Sequence, residues 1–263
     1  MTAPPLSERR SGELVWLAAA GPGWRLAFGT RLGGVSTGPF ESLNISLAVG
    51  DDAAAVIENR WRFLAAEGLA LDDLVVPGQV HGVAVSVVGK QDRGRGARSR
   101  ETVVDDTDAL LTQTPGVPVL VSFADCVPVF LAAELEAGGT ALALAHAGWR
   151  GMLAGVVTET AAALRRLGRL TAAVVGPSIG PCCFAVGDDV GSALEARFPG
   201  VWRNGHVDLW ACAAQELASA GLSPQAITSP RLCTSCDRRF YSHRRDQGLT
   251  GRQAAVAWLT EEA

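Results

Sequence analysis

Residues 141–168, ALALAHAGWRGMLAGVVTETAAALRRLG, carry the reading of the fold. The first five residues form a short apolar run, read as a buried strand that ends at His146. A glycine-flanked turn follows. Apolar positions then recur at helical spacing over 151–167, and Gly168 stops the helix. A strand that turns tightly into a helix leaves backbone N–H groups free at the helix start, a natural place for an anion. Arg150 stands in that turn beside His146, so the corner reads as a functional site rather than a plain strand–helix connection.

Working outward, similar runs at 74–76, 83–88, 119–121, 127–131 and 172–175 read as further buried strands. Each is rich in small, β-branched or aliphatic residues and bounded by Gly, Pro or Asp. Helices are expected at 53–67, capped by Asp51 or Asp52, at 188–198 and 209–220, capped by Asp188 or Asp189 and by Asp208, and last at 253–259. Strands and helices are mixed without strict alternation. No G-x-G-x-x-G or G-x-x-x-x-G-K-[ST] follows a strand, which disfavours the Rossmann and P-loop routes to nucleotide binding. The reading is a single α+β domain over 1–263 with mixed sheets and no clean linker. Residues 1–12 are expected to be flexible. The basic, glycine-rich segment 89–100 is expected to be a mobile loop, or a flap that draws in an anionic substrate.

Composition narrows the functional classes. The chain has 263 residues, 48% of them hydrophobic, enough to bury a sizeable core. With 19% charged residues and a formal net charge of −4, nothing pulls it globally toward nucleic acid or an anionic membrane. No window reaches the roughly 18 apolar residues a membrane span needs. The amino-terminal stretch lacks the pattern of a secretory signal, so a cytoplasmic protein is expected, with its six cysteines as thiols. Adjacent Cys182 and Cys183 could bridge only through a strained ring. The Cys233-x-x-Cys236 pair has no second C-x-x-C to complete a familiar zinc pattern, and a second metal or a redox pair is the minor reading there.

Three segments place metal-capable side chains at the ends of apolar runs. His81 precedes the strand at 83–88. Cys126 follows Asp125 between two β-branched runs, and burying that carboxylate is costly unless it is paired. His146 ends the strand at 141–145. There are only four histidines in the chain. Together His81, Cys126 and His146 offer two imidazoles and a thiolate, a set zinc accepts with the fourth position open. Their separations do not match a zinc finger, so tertiary folding must assemble the site.

These segments occur in a recognisable order: QVHG (79–82), DTDALLT (106–112), ADCVPV (124–129), AHAGWRG (145–151) and GPSIGPCCFAVG (176–187). On either side stand TRLGGVSTGPFESLNISLAVGDD (30–52), NRWRFL (59–64) and CTSCDRRFYSHRRDQGLTGRQAAVAWL (233–259). Over roughly 24–260 the chain resembles the YfiH/YlmD/FAMIN family, whose members also carry the label of laccase-domain polyphenol oxidases. The resemblance implies a four-layer α/β/β/α fold with mixed sheets. It implies zinc held by His81, Cys126 and His146, and phosphorolysis of adenosine, inosine, guanosine and methylthioadenosine, together with adenosine deamination. Ile45, Leu47, the basic insertion near 93–100 and the doubled Cys233/Cys236 depart from the family pattern.

In that frame zinc would activate water for attack at the purine C6, with Asp125 as proton shuttle. In phosphorolysis, orthophosphate attacks the ribose C1′ and needs cations to hold it. Arg31, Arg60 and Arg150 are the expected phosphate contacts, and Ser42 and Asn44 the polar substrate contacts. Arg60 is equally readable as a snorkelling helix residue. Phe184, in the Gly/Pro loop, is equally readable as a purine-stacking wall of the pocket and as part of a core-lining turn. The partners expected are purine nucleosides and inorganic phosphate, with no nucleic acid or membrane, and the protein is expected to be a monomer. Rival functions are a copper-dependent, laccase-like polyphenol oxidase, a cysteine hydrolase using Cys126 as nucleophile, and a non-enzymatic binding module. A multicopper oxidase needs many more histidines, usually as H-x-H pairs, and the chain has none of those pairs. Copper in the His₂Cys set is thus expected only as an adventitious substitute for zinc.

Overall fold

Alternation of side chains along the strands decides the layering. In the computed structural model, which describes residues 5–260, the strands are β1 (Ser7–Ser11), β2 (Leu14–Gly21), β3 (Trp24–Gly29), β4 (Val85–Val87), β5 (Ala109–Thr112), β6 (Val119–Phe123), β7 (Val127–Leu135), β8 (Thr140–Ala147), β9 (Gly168–Val175), β10 (Trp202–Arg203), β11 (His206–Val207), β12 (Ile227–Thr228) and β13 (Gln253–Leu259). The helices are α1 (Ala53–Ala65), α2 (Trp149–Ala154), α3 (Val156–Arg165), α4 (Asp188–Arg197) and α5 (Leu209–Ser219). One sheet runs β1-β2-β3-β13-β6 and the other β12-β9-β7-β8-β5-β4, with β10 and β11 as a separate hairpin. The five strands of the first sheet pair antiparallel, and Val75 adds a parallel bridge to Val119 at its edge. The second sheet is mixed, with parallel pairs at both edges, β12 with β9 and β4 with β5.

Each sheet buries both faces. Leu142 and Leu144 of β8 and Phe130 of β7 meet Leu26 and Phe28 of β3 in the core between the sheets. Trp24 and Phe130 pack there with ring centroids 4.5 Å apart. The opposite faces of β7 and β8, including Val129, Leu131, Ala143 and Ala145, pack on Met152, Val156, Leu164, Leu194 and Leu217 of the helices α2 to α5. The outer face of the first sheet, with Trp16, Leu120, Val256 and Trp258, is covered by Phe63 and Leu64 of α1. The order is therefore α, β, β, α, the expected four layers. Among the described residues, no helix is long and apolar enough to cross a membrane.

Several local expectations are corrected. Gln253–Leu259, read as a last helix, is the strand β13, paired with β3 on one side and β6 on the other. Its alternation explains why. Ala255, Ala257 and Leu259 enter the core between the sheets, while Ala254, Val256 and Trp258 face α1, so an all-apolar run suits a strand covered on both faces. The helix expected at 151–167 starts at Trp149 and breaks at Gly155, whose φ of 99° is left-handed and separates α2 from α3. Of the segment expected to be flexible, Ser7–Ser11 pair in register with β2, and residues 1–4 lie outside the described residues. The run at 74–76 makes bridges rather than a strand.

The basic segment 89–100 is bonded to its surroundings along much of its length. Gly94 donates to the Leu74 carbonyl at 3.1 Å, and Val76 donates to the Arg95 carbonyl at 2.9 Å. Ala97 is buried. Its arginines are largely spent on local partners, as in Arg98 with Asp72 at 2.8 Å and Arg93 with Asp73 at 3.4 Å.

Candidate metal centre and cavity

Three chain segments converge where the two sheets meet. Cys126 lies in the short connection that carries the chain from β6 in one sheet to β7 in the other. His146 is near the end of β8, where β5 and β7 flank it. His81 sits in the loop before β4 with φ 62°, an unusual backbone state for a histidine that the surroundings must hold. The ligand-capable atoms of His81, Cys126 and His146 all lie within 4.8 Å of one another. His81 Nε2 is 3.8 Å from Cys126 Sγ, and the two imidazoles meet edge to face at 4.9 Å between centroids. His146 is buried, Cys126 half-buried and His81 exposed, so the cluster opens on one side only.

Asp108 holds this geometry. Its carboxylate is fully buried. Oδ1 accepts from His146 Nδ1 at 2.9 Å and from the His81 backbone N–H at 3.0 Å. Oδ2 accepts from the N–H groups of Val80 at 3.1 Å and Gly82 at 2.6 Å. One carboxylate thus fixes the His146 tautomer, leaving Nε2 for the cluster, and shapes the loop that presents His81. Burial pushes the Asp108 carboxyl up, but the His146 and backbone donors outweigh it and hold it below the ordinary carboxylate range.

Burial raises the Cys126 thiol, yet the neighbouring His146 and His81 outweigh burial and bring it down to about 6. Burial lowers His146, while the Cys126 thiolate and Asp108 raise it to about 9. A thiolate is the form that binds a metal or acts as a nucleophile. The donor chemistry, two imidazoles and a thiolate with an open side, fits a zinc ion held at three protein ligands. Space is guarded by Gly148: a Cβ there would lie 2.7 Å from His81 Cδ2 and 3.0 Å from Cys126 Sγ.

The cluster lies in the wall of a cavity of about 920 Å³. Arg60, Arg100, Arg150, Arg244 and Arg252 supply positive charge to that cavity, and Trp149 and Phe184 supply aromatic surface. Arg150 stacks on Trp149 at 4.3 Å, and Arg244 lies 5.3 Å from the centre of the Phe184 ring. Gln79 latches the loop of His81 to β6, donating to the Ser122 carbonyl at 2.8 Å and accepting from the Ser122 N–H at 2.8 Å.

The other residues singled out from sequence divide. Arg150 lines the cavity. Arg60 lines it too, but its Nε donates to the Ile45 carbonyl at 2.7 Å and its Nη1 to those of Gly96 and Ala97 at 2.6 and 2.8 Å. Burial brings its guanidinium down to about 10. Arg31, Ser42 and Asn44 are not among the cavity-lining residues. Arg31 donates to the Glu41 carbonyl and stacks 4.7 Å from the Tyr241 ring centre. Ser42 donates to the Arg31 carbonyl at 2.6 Å. Asn44 is buried, donating to Asp51 at 2.8 Å and accepting from the Arg252 N–H at 2.9 Å. All three brace loops, and Asn44 reaches the cavity only through the backbone of Arg252.

Asp125 lines the cavity beside Cys126, with both carboxylate oxygens engaged. Its Oδ1 accepts from Thr234 at 2.7 Å, and its Oδ2 from Ser242 at 3.1 Å and the Arg244 N–H at 2.6 Å. A buried carboxylate so engaged ties the C-terminal loop to the β6–β7 connection. The sequence reading missed Asp108, Gln79 and Arg252. For Asp108 the available signal was a carboxylate directly ahead of the apolar run ALLT, a position that demands a partner.

Comparison with known proteins agrees with this architecture. Residues 25–260 match the family described as multi-copper polyphenol oxidoreductase laccase. The chain is 37% identical over 264 residues to a protein named purine nucleoside phosphorylase YlmD from Geobacillus stearothermophilus, covering 94% of this chain and 95% of that one. It is 41% identical over 242 residues to a purine nucleoside phosphorylase of Deinococcus radiodurans, covering 89% and 88%. The crystal structure of the Geobacillus YlmD superposes with a TM-score of 0.89 at 35% identity, over 98% of this chain and all of that one. The structure of YfiH from Bacillus licheniformis superposes at 0.85 and 31% identity, over 96% and 99%. By matched length, identity and layered architecture together, the chain belongs to the laccase-domain family of YlmD and YfiH.

Proposed function

We propose that this protein is a zinc-dependent purine nucleoside phosphorylase that also deaminates adenosine. One observation carries the reading: a thiolate–imidazole cluster and five arginines share one cavity. Phosphorolysis needs cations to hold orthophosphate against the ribose C1′, and a metal held by the cluster would add a Lewis acid. The names of the relatives point the same way. The nucleosides are adenosine, inosine, guanosine and methylthioadenosine, and the products are the free base and ribose-1-phosphate.

His81, Cys126 and His146 would hold the zinc, which when bound supplies a Lewis acid to polarise a substrate bond. The remaining roles fall to the chain itself. Arg150, Arg244 and Arg252 orient orthophosphate toward C1′ of the ribose. The phosphate oxygen bonds to C1′ as the bond to the purine nitrogen breaks, and the base leaves with that electron pair. Phe184 and Trp149 flank the purine. Asp108 keeps His146 in one tautomer throughout. On this reading the enzyme works as a cytoplasmic monomer, where its thiols stay reduced, and takes neither nucleic acid nor membrane as a partner. Copper competes well for such ligands, so polyphenol oxidation would be an adventitious property of copper-loaded protein.

The test incubates zinc-loaded protein with adenosine, with and without phosphate, and follows adenine, hypoxanthine, inosine and ribose-1-phosphate by chromatography. Phosphate-dependent base release that vanishes in Cys126→Ala supports phosphorolysis. Inosine formed without phosphate supports deamination. Activity that survives chelation but not thiol alkylation would make Cys126 a nucleophile instead, and no turnover of any purine nucleoside would end the proposal.

A further inference from the structure

We propose that Cys182, Cys183, Cys233 and Cys236 form a second metal centre, a tetrathiolate site for one zinc ion, separate from the His81–Cys126–His146 cluster. Their four sulfurs all lie within 4.8 Å of one another. Cys236 Sγ is 3.5 Å from Cys182 Sγ and 3.4 Å from Cys183 Sγ. Four sulfurs tetrahedrally disposed at about 2.3 Å from zinc stand about 3.8 Å from each other, so small side-chain adjustments close the site.

The backbone is arranged for it. The thiols come from two loops, 176–187 and 231–237, joined by a short parallel bridge in which Ser178 donates to the Leu232 carbonyl at 3.2 Å and Thr234 donates to the Ser178 carbonyl at 3.0 Å. Cys233-x-x-Cys236 forms a tight turn, with Asp237 N–H donating to the Cys233 carbonyl at 2.9 Å. The first sulfur of that turn is buried and accepts from the Gly180 N–H at 3.2 Å. Backbone donors around a chelating turn are what a metal thiolate requires of its surroundings. Cys182 and Cys236 are exposed, which leaves an ion a way in.

The geometry favours a shared ion over a disulfide. Cys236 approaches two thiols almost equally and so selects neither. Cys182 and Cys183 are neighbours in sequence, where a bridge is strained. Four thiols this close also cannot ionise together without a cation. A divalent ion supplies that charge. The same loops carry Ile179, which donates to the Asp125 carbonyl at 2.9 Å, and Thr234, which donates to the Asp125 carboxylate. Zinc here therefore clamps one wall of the cavity and takes no part in chemistry.

The test counts zinc per chain in reduced protein, loaded anaerobically and desalted, and repeats the loading with cobalt(II) to read thiolate charge-transfer absorption. Wild-type protein should hold two ions. H81A/C126A should keep one, with the intense sulfur-to-cobalt absorption of a four-thiolate tetrahedral site. C182S/C236S should also keep one, with the weaker absorption of a single thiolate. If the double serine variant fails to fold, H81A/C126A decides alone. The proposal is overturned if folded H81A/C126A binds no ion, if its cobalt spectrum lacks that absorption, or if intact mass shows freshly reduced wild-type protein lighter by two hydrogens because two of these thiols have joined.

Discussion

Asp108 accepts four hydrogen bonds on two buried oxygens, and two of them reach the backbone or ring of a cluster histidine. Asp108→Asn keeps the size but turns one oxygen into a donor that faces N–H groups. Metal affinity should fall by about 10–100-fold, the usual scale for an outer-shell partner, as read by competition with a chromophoric chelator. Wild-type affinity in that variant would remove Asp108 from its positioning role. Gly148 tests the same cluster sterically. A methyl group at Gly148→Ala must push against His81 Cδ2 at 2.7 Å or Cys126 Sγ at 3.0 Å. The variant should melt cooperatively while losing the zinc of this site, and retention of full zinc content would show that the loops can give way. At this scale the three side chains that cluster were singled out in sequence because histidine is scarce and each of them borders an apolar run. Asp108 was not, although its motif was in plain view, because nothing in a linear sequence tells which imidazole a carboxylate will face.

Helix α1 is read correctly from its spacing and its Asp52 cap, which accepts from the N–H groups of Ala54 and Ala55. What spacing does not reveal is that Arg60, on that helix, reaches through the layer to hold three carbonyls of the loops at 45 and 96–97. Arg60→Ala strands these buried acceptors. At about 1–3 kcal/mol for each unsatisfied group, moderated by relaxation, a loss of roughly 3 kcal/mol in denaturant unfolding is expected, with faster proteolysis of 89–100. Loss of phosphate affinity at unchanged stability would instead return Arg60 to the substrate site. The strand β13 is misread for a related reason: a short alanine-rich run has helical propensity, and only the two cores on either side of it make it a strand.

The loop leading into β13 is held by charge. Arg245 Nε and Nη2 each donate to Asp246 at 2.9 Å, and Thr250 donates to it at 3.0 Å. Burial raises the Asp246 carboxyl, and Arg245 with Thr250 outweighs it, so its folded value lies below the unfolded value of about 3.9. A depressed carboxyl stabilises the fold fully above the unfolded pKa, and that stability is lost as pH falls through the folded one. The melting gap between wild type and Asp246→Asn should be largest near neutrality and close below about pH 4. A gap that stays constant with pH would show that the effect is steric.

At the scale of the whole molecule, the cluster sits at the seam of the sandwich. Cys126 belongs to the crossing from one sheet to the other, His146 to the second sheet, and His81 to a loop latched to the first through Gln79 and Ser122. An ion bound there would join layers that pack on each other through apolar side chains such as Phe28, Phe130 and Leu144. The unfolded chain has no such assembled site, so zinc should stabilise by mass action, about 2.7 kcal/mol at a free concentration one hundred times the dissociation constant. For a chain of this length that corresponds to a rise of roughly 5–10 °C in melting temperature. The measurement belongs in the C182S/C236S background, so that the thiol cluster contributes nothing to the shift. Adding Cys126→Ala to that background should abolish the rise, while Phe130→Ala, which opens a cavity between the sheets at a cost of about 3–5 kcal/mol, should lower the starting temperature yet leave the zinc-induced rise in place. A melting temperature indifferent to zinc in the first protein would mean that the three side chains lie together without a metal to join them, and the seam would then be held by its apolar core alone.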